Sequence, residues 1–264
     1  MDKIRADVLL TQKGLTESRE KARIAIQNGL ATADGKLILK PSETILETAF
    51  LELSAPPLQY VGRGGYKLEK ALREFKIDVT DYICMDIGAS TGGFTDCLLQ
   101  NGAKRVYAID VGINQLSQHL AADARVVSFE KTNIRQFERE KIDDVINFIT
   151  VDVSFISLSQ VFPKIYEFLK PRGEAVCLIK PQFEAGRFAA TKTGVVKDKN
   201  THIKVITSVL NAAKLNSFTA LNLDYSPIKG GNGNIEYLLH MVKDEVNTDF
   251  LDITKIVTGA FENL

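Results

Sequence analysis

The stretch Met85-Asp86-Ile87-Gly88-Ala89-Ser90-Thr91-Gly92-Gly93-Phe94 carries the densest chemical signal in this chain. It follows an apolar run and opens a segment of helical character. Glycine lets the backbone turn sharply and lets a ligand approach with no Cβ in the way. A helix start behind such a turn offers unpaired N–H groups. The spacing here is Gly-x-x-x-Gly-Gly, with an acidic residue two positions before the first glycine. A dinucleotide fingerprint would read Gly-x-Gly-x-x-Gly, so a nicotinamide oxidoreductase is the weaker reading. Asp86 ahead of the glycines suits a cationic amino-acid group, as in S-adenosylmethionine. Asp110 ends the next apolar run, at the separation where a carboxylate accepts both ribose hydroxyls. A glycine-rich turn without a ligand is the plain alternative, and Asp110 weighs against it.

Three more ionisable residues stand where strand ends are expected, and a fourth at the start of a helix. Asp152 interrupts the apolar run Thr150-Val151-Asp152-Val153, and a lone buried carboxylate is costly unless it is partnered. Lys180 ends Cys177-Leu178-Ile179-Lys180-Pro181, where the proline holds the preceding residue extended. Glu236 begins the last strand, in Gly233-Asn234-Ile235-Glu236-Tyr237. If that strand runs antiparallel at the sheet edge, Glu236 shares a rim with the other strands' carboxyl ends, where open α/β sheets bind ligands. Lys67 starts the helix that follows Arg63-Gly64-Gly65. A lysine or glutamate at a strand end is ordinarily just solvated, and periodicity alone does not bring the four together.

The elements that must position these residues read as strand alternating with helix. Strands are expected over Ile83–Ile87, Arg105–Asp110, Arg125–Phe129, Val145–Val153, Ala175–Ile179, Thr219–Leu223 and Ile235–Met241. Helices are expected over Tyr66–Phe75, Phe94–Asn101, Asn114–Ala122, Leu158–Leu169 and Lys199–Ala213. Such alternation implies crossover units and a mostly parallel sheet covered on both faces, an α/β fold. Residues 1–60 follow a different pattern and end at Ser54-Ala55-Pro56-Pro57, a plausible boundary. A second domain then spans 61–264, with 61–82 as linker and leading helix.

Composition narrows the class. The 264 residues are 45% hydrophobic and 25% charged, ordinary for a globular protein. Thirty-three basic and 33 acidic residues balance, so evidence for a nucleic-acid partner must be local. The N-terminus lacks a secretory pattern, and no uncharged apolar run nears the roughly 18–20 residues of a membrane helix. Cys84, Cys97 and Cys177 are scattered among apolar residues and read as buried thiols. With only three histidines, no zinc spacing is present and no metal is expected. A cytoplasmic location is expected.

Taken together, Asp86–Thr95, the run Val151-Asp152-Val153-Ser154-Phe155-Ile156-Ser157-Leu158, the run Lys180-Pro181-Gln182-Phe183-Glu184 and Gly233–Tyr237 closely resemble the TlyA family, also called hemolysin A, which carries an FtsJ-type methyltransferase domain. The resemblance spans nearly the whole chain. It implies a Rossmann-like, seven-stranded, S-adenosylmethionine-dependent methyltransferase domain. It also implies a catalytic Lys67, Asp152, Lys180 and Glu236 set acting on a ribose 2′-hydroxyl of ribosomal RNA, at cytidine. Lys180 is the expected base for the hydroxyl proton. The expected cofactor contacts are Asp86, Gly88, Ser90, Thr91, Gly92, Gly93, Phe94, Asp110 and Asn133.

At the front, Arg5–Leu10, Ser18–Ala22 and Gly29–Lys36 look like a small α+β S-four-like RNA-binding module, with Ala31 and Ala33 where the module usually carries valines. Lys3, Arg5, Arg19, Lys21, Arg23 and Arg63 are the expected RNA contacts. On charge alone the interspersed Asp7, Glu17 and Glu20 leave a plain solvated surface equally open, and the resemblance decides for RNA. The expected partners are ribosomal RNA or ribosomal subunits. Two other readings remain: a non-catalytic RNA-binding or assembly factor, and the membrane-lytic protein that the hemolysin name suggests.

Overall fold

A computed structural model describes residues 3–27, 29–54, 59–186, 194–244 and 251–264, the side chain of Glu20 aside. The paired prolines of the expected boundary lie outside the described residues. The chain divides into two compact units, Met1–Arg63 and Gly64–Leu264.

The first unit contains β1 (Lys3–Arg5), α1 (Ala6–Gln12), α2 (Arg19–Gln27), β2 (Ala31–Ala33), β3 (Lys36–Leu37), β4 (Thr44–Leu46) and β5 (Leu51–Leu53). β1 pairs antiparallel with β4, and β2 lies between β3 and β5. Asp34 and Gly35 both take positive φ between the paired Ala33 and Lys36, the two-residue turn that hairpins favour. Ala31 is fully buried with Leu9, Leu10, Ile26 and Ile38, so alanine suffices to form β2 in this small core.

Asp7 is fully buried, and Arg5, Arg19 and Arg23 converge on it at 2.9, 3.1 and 3.3 Å. The Arg5 guanidinium, joined by Arg19 and Arg23, holds this carboxyl well below the usual range against the cost of its burial. Asp7 therefore anchors the basic residues rather than diluting them. Lys21 Nζ donates to the Gln59 carbonyl at 3.0 Å, while Lys3 and Arg63 are exposed.

The second unit opens with α3 (Gly64–Phe75). It continues through β6 (Ile83–Ile87), α4 (Gly93–Gln100), β7 (Arg105–Ile109), α5 (Gln118–Ala122), β8 (Val126–Phe129), β9 (Ile146–Val151), α6 (Phe162–Phe168), β10 (Leu169–Ile179) and α7 (Pro181–Glu184). It closes with α8 (Lys199–Leu215), β11 (Phe218–Tyr225), β12 (Tyr237–Lys243) and α9 (Ile253–Asn263). The seven strands order as β11-β12-β10-β9-β6-β7-β8, with β12 antiparallel to both neighbours. Successive residues of β6, β7 and β9 are buried, as a sheet covered on both faces requires. One face packs Met85, Ile149 and Leu239 against Phe162, Ile206 and Val257.

Three expectations change. The last strand is antiparallel as expected but lies inside the sheet, because β11 takes the edge beside it. The helix expected over Leu158–Leu169 is a 3-10 turn (Leu158–Gln160) followed by α6, since Pro163 fits only a first helical turn. The helix expected from Asn114 starts at Gln118, after Asn114 turns through φ +52°. Chain order reverses between β6 and β9, and a crevice beyond their carboxyl ends is where such sheets hold ligands.

Candidate active site

Beyond that reversal lies an open cavity of about 480 Å³, lined by residues of the turns after β6, β7, β8 and β9. Gly88 leaves β6 at φ +85°, and a Cβ there would lie 2.9 Å from the carbonyl carbon of Asp152. Only glycine allows the β6 and β9 strand ends to come this close. Asp110 closes β7 at the cavity wall, its Oδ2 accepting from the Ser90 N–H at 2.8 Å and its Oδ1 from the Gly112 N–H at 2.6 Å. Each oxygen retains a lone pair for a further donor. Asn133 caps the 3-10 turn Ile134–Gln136 through its side-chain oxygen, which accepts from the Arg135 N–H at 3.1 Å.

Of the expected cofactor residues, Gly88, Ser90, Asp110 and Asn133 line this cavity. Asp86, Thr91, Gly92, Gly93 and Phe94 are not among its lining residues. Gly92 caps α4 in the left-handed conformation, the Thr91 carbonyl accepts from the Ser117 N–H, and Phe94 is buried.

Asp86 is wholly buried and accepts from the Thr95 hydroxyl at 2.7 Å and the Thr150 hydroxyl at 3.0 Å. Burial pushes its carboxyl up to about 7, against those two hydrogen bonds, with the charge of Asp152 adding to the rise. A raised folded-state value means that stability is complete below the ordinary value of 3.8 and is lost as pH rises through about 7. The melting temperature of the wild type is therefore expected to fall between about pH 4 and 7 relative to Asp86→Asn, whose amide does not titrate. Parallel melting curves for the two proteins across that range would dismiss the effect.

Beside the cavity, the four charged residues meet. Lys67, from the first turn of α3, donates to Glu236 Oε2 at 2.6 Å and stands 4.0 Å from Asp152 Oδ2. Lys180 Nζ reaches Asp152 Oδ1 at 2.5 Å as a charge contact without hydrogen-bond angles, and donates to Ser154 Oγ at 3.0 Å. Lys67, Lys180 and Glu236 are nearly buried, with 8, 8 and 2% of their surface exposed. Two cations and two anions thus satisfy one another in a poorly solvated cluster whose open side is the exposed Ser154. Glu236 immediately precedes β12, and because β12 is antiparallel its start lies on the rim where β9 and β10 end.

Several contributors were not legible in the residue pattern. Gln182 Nε2 donates to Glu236 Oε1 at 3.4 Å. A Cβ on Gly230 would overlap the Glu236 carboxylate. Gly230→Ala is therefore expected to push Glu236 off Lys67 and slow the chemistry on the order of 100-fold, as displacements near 1 Å do. Cofactor affinity by calorimetry should not change, and turnover equal to wild type would show that Glu236 has room to spare. Phe155 is 90% exposed at φ +65°, its ring 4.8 Å from that of Phe183. Large exposed aromatics carry no periodic signature, which is why Phe155 escapes a reading by pattern.

Comparison with known proteins bears on this arrangement. The model of the FtsJ-like methyltransferase family matches residues 60–243. YqxC of Bacillus subtilis is 47% identical over 240 residues, covering 90% of this chain and 85% of that protein. The 16S/23S rRNA (cytidine-2'-O)-methyltransferase TlyA of Mycobacterium tuberculosis is 37% identical over 236 residues, covering 89% of this chain and 88% of that protein. A solved structure from Streptococcus thermophilus that carries the hemolysin name superimposes with TM-score 0.78 at 44% identity, covering 100% of this chain and 97% of that one. Among the described residues no helix is long and apolar enough to cross a membrane, and no group of three or more His, Cys, Asp or Glu could hold a metal ion. A glycine turn opening on a cavity, a buried charge tetrad beside it and a family match over 60–243 coincide on one domain, and the chain belongs to the FtsJ-like methyltransferase family.

Proposed function

We propose that this chain transfers the methyl group of S-adenosylmethionine to a ribose 2′-hydroxyl of ribosomal RNA, at cytidine, on ribosomal subunits in the cytoplasm. The convergence of Lys67, Asp152, Lys180 and Glu236 beside a cavity that Asp152 itself lines carries the reading. The cytidine and ribosomal parts rest on what the TlyA relatives are named for.

The cavity suits S-adenosylmethionine. Gly88 leaves room for a close approach, and the Asp110 carboxylate stands ready for the ribose hydroxyls. The Asn133 segment forms the wall where an adenine would lie. The donor supplies an electrophilic methyl on a sulfonium sulfur. The protein must then hold the acceptor oxygen in line with it and remove one proton. Lys180 faces the acceptor hydroxyl through the open side at Ser154. Lys180 passes one ammonium proton to the Asp152 carboxylate 2.5 Å away, and the amine lone pair so freed takes the hydroxyl proton, leaving Lys180 charged and Asp152 protonated. Lys67, neutralised by Glu236, fixes Asp152 from its other oxygen. Phe155 offers an exposed ring on which the acceptor base can stack, a sequence-tolerant contact of about 1–3 kcal/mol.

The first unit serves as an S-four-like RNA-binding module. Arg5, Arg19 and Arg23, fanned around Asp7, together with Lys3, Lys21 and Arg63, would engage backbone phosphates. Purified protein incubated with labelled S-adenosylmethionine and unmodified ribosomal subunits should label ribosomal RNA, and cleavage mapping should place the methyl on a cytidine 2′-oxygen. Label confined to a base, or none on either subunit, contradicts the proposal.

A further inference from the structure

The segments 152–158 and 180–184 run side by side and are joined at three levels. Lys180 meets Asp152 and Ser154 at the first. At the second the Phe183 ring packs against Phe155, centroids 4.8 Å apart. At the third, Glu184 spans both partners of the next turn. Its Oε2 accepts from the Ser157 hydroxyl at 2.6 Å, and its Oε1 from the Leu158 N–H at 2.8 Å.

The third level is the one that the chemistry above does not use. Burial raises the Glu184 carboxyl above its ordinary range, and the two hydrogen bonds only partly offset this. Leu158 is buried, so its N–H at the start of the 3-10 turn needs a protein acceptor, and a half-buried carboxylate is a costlier one than a neutral side chain. The loop itself explains the need. Phe155 holds φ +65° with its side chain 90% exposed, so burial of its own ring does little to stabilise a conformation that costs about 1–3 kcal/mol. Some outside contact must keep Ser154 and Phe155 where they are, and Glu184 grips the loop directly after them.

We propose that Glu184 is a positioning residue that clamps the 154–158 loop to the Lys180 segment, so that Ser154 and Phe155 are held in register with Lys180 for the acceptor nucleotide. The clamp rests on the methyl-transfer reading of the site, and it adds a residue that touches none of the reacting atoms.

Four full-length variants decide it: Glu184→Ala, Glu184→Gln, Ser157→Ala and the double variant Ser157→Ala with Glu184→Ala. Methyl transfer to ribosomal subunits, S-adenosylmethionine affinity and thermal melting are measured on each. Glu184→Ala should lower kcat at least tenfold while cofactor affinity stays within twofold of wild type. Glu184→Gln should recover kcat to within about threefold, because the amide still accepts from Leu158 N–H and can donate to Ser157 Oγ. Ser157→Ala should fall between them. The double variant should lose less than the product of the two single losses, because the Ser157–Glu184 hydrogen bond is shared while Ser157 Oγ also accepts from the Ser159 N–H at 3.2 Å.

A Glu184→Ala kcat within twofold of wild type overturns the clamp. So does a Glu184→Gln as slow as Glu184→Ala, which would point to charge instead of position. If Glu184→Ala does not fold, Ser157→Ala decides, with a kcat loss of threefold or more supporting the clamp and wild-type kcat refuting it. Hydrogen exchange at the Leu158 amide reads the clamp without any turnover. Faster exchange in Glu184→Ala than in Glu184→Gln is expected, and equal rates count against it. A wild type that methylates nothing while showing the expected exchange pattern would refute the methyl-transfer reading and leave the clamp standing.

Discussion

Lys180→Ala is expected to remove methyl transfer, slowing it on the order of 10³-fold, while S-adenosylmethionine binds within about threefold of wild type. General acid–base groups contribute about 10²–10⁴-fold, and orientation by the same side chain adds to that. Lys180 is held by the end of β10 and by Pro181, is only 8% exposed, and contacts both Asp152 and Ser154. It is not among the residues lining the cavity proposed for the cofactor, so binding and turnover should separate. A methyl-transfer assay with labelled donor reads the first effect and calorimetry the second. Lys180→Arg sharpens the test. A guanidinium keeps the positive charge but does not release its proton, so a merely electrostatic role survives the change and proton uptake does not. Near wild-type turnover of Lys180→Ala would remove Lys180 from the chemistry altogether.

The second large effect belongs to a residue with no side chain. Gly88→Ala combines a left-handed backbone at φ +85° with a Cβ 2.9 Å from the Asp152 carbonyl carbon. Strain of about 1–2 kcal/mol and overpacking of about 1–3 kcal/mol predict roughly 2–5 kcal/mol lost from folding stability. The obstacle is backbone, so no side chain can swing away to relieve it. The strand ends that carry Gly88 and Asp152 must then part, which disturbs the cofactor wall and the charge tetrad at once. Cofactor affinity should fall on the order of 100-fold, and melting should shift down with it. An alanine variant that binds S-adenosylmethionine as the wild type does would mean that this close approach is dispensable. The contrast with Gly230→Ala is instructive: there the neighbour is a carboxylate, so turnover suffers more than the fold.

The sequence by itself determined the architecture of the second unit. Strand and helix alternate with apolar runs short enough for a buried sheet, and the apolar run Ile83–Ile87 coincides with β6 at both ends. It also determined which residue types could do chemistry, because a charge within or at the end of an apolar run stands out against its surroundings. What it left open was whether Lys67, Asp152, Lys180 and Glu236 meet. Lys67 and Glu236 are 169 positions apart, and only the pairing of β12 between β10 and β11 brings their 2.6 Å contact about. Periodicity reports which face of an element is buried, and says nothing of which strand lies beside which.

The glycine loop divides for the same reason. Asp86, Gly92, Gly93 and Phe94 belong to the motif by spacing, yet they are buried, while Gly88, Ser90 and Asp110 line the cavity. A motif fixes the order of residues along one loop. The direction each points depends on φ values such as +50° at Ser90 and +96° at Gly92, which packing against the neighbouring strands and helices selects. Phe155 and Glu184 stand in the family's motifs and Gly230 in none, but what each does shows only once the chain closes on itself, since each acts through a partner distant in sequence or through exposure to solvent. Composition and local order thus chose the fold and the kind of chemistry, while strand order and backbone conformation decided which of the candidate residues share a site.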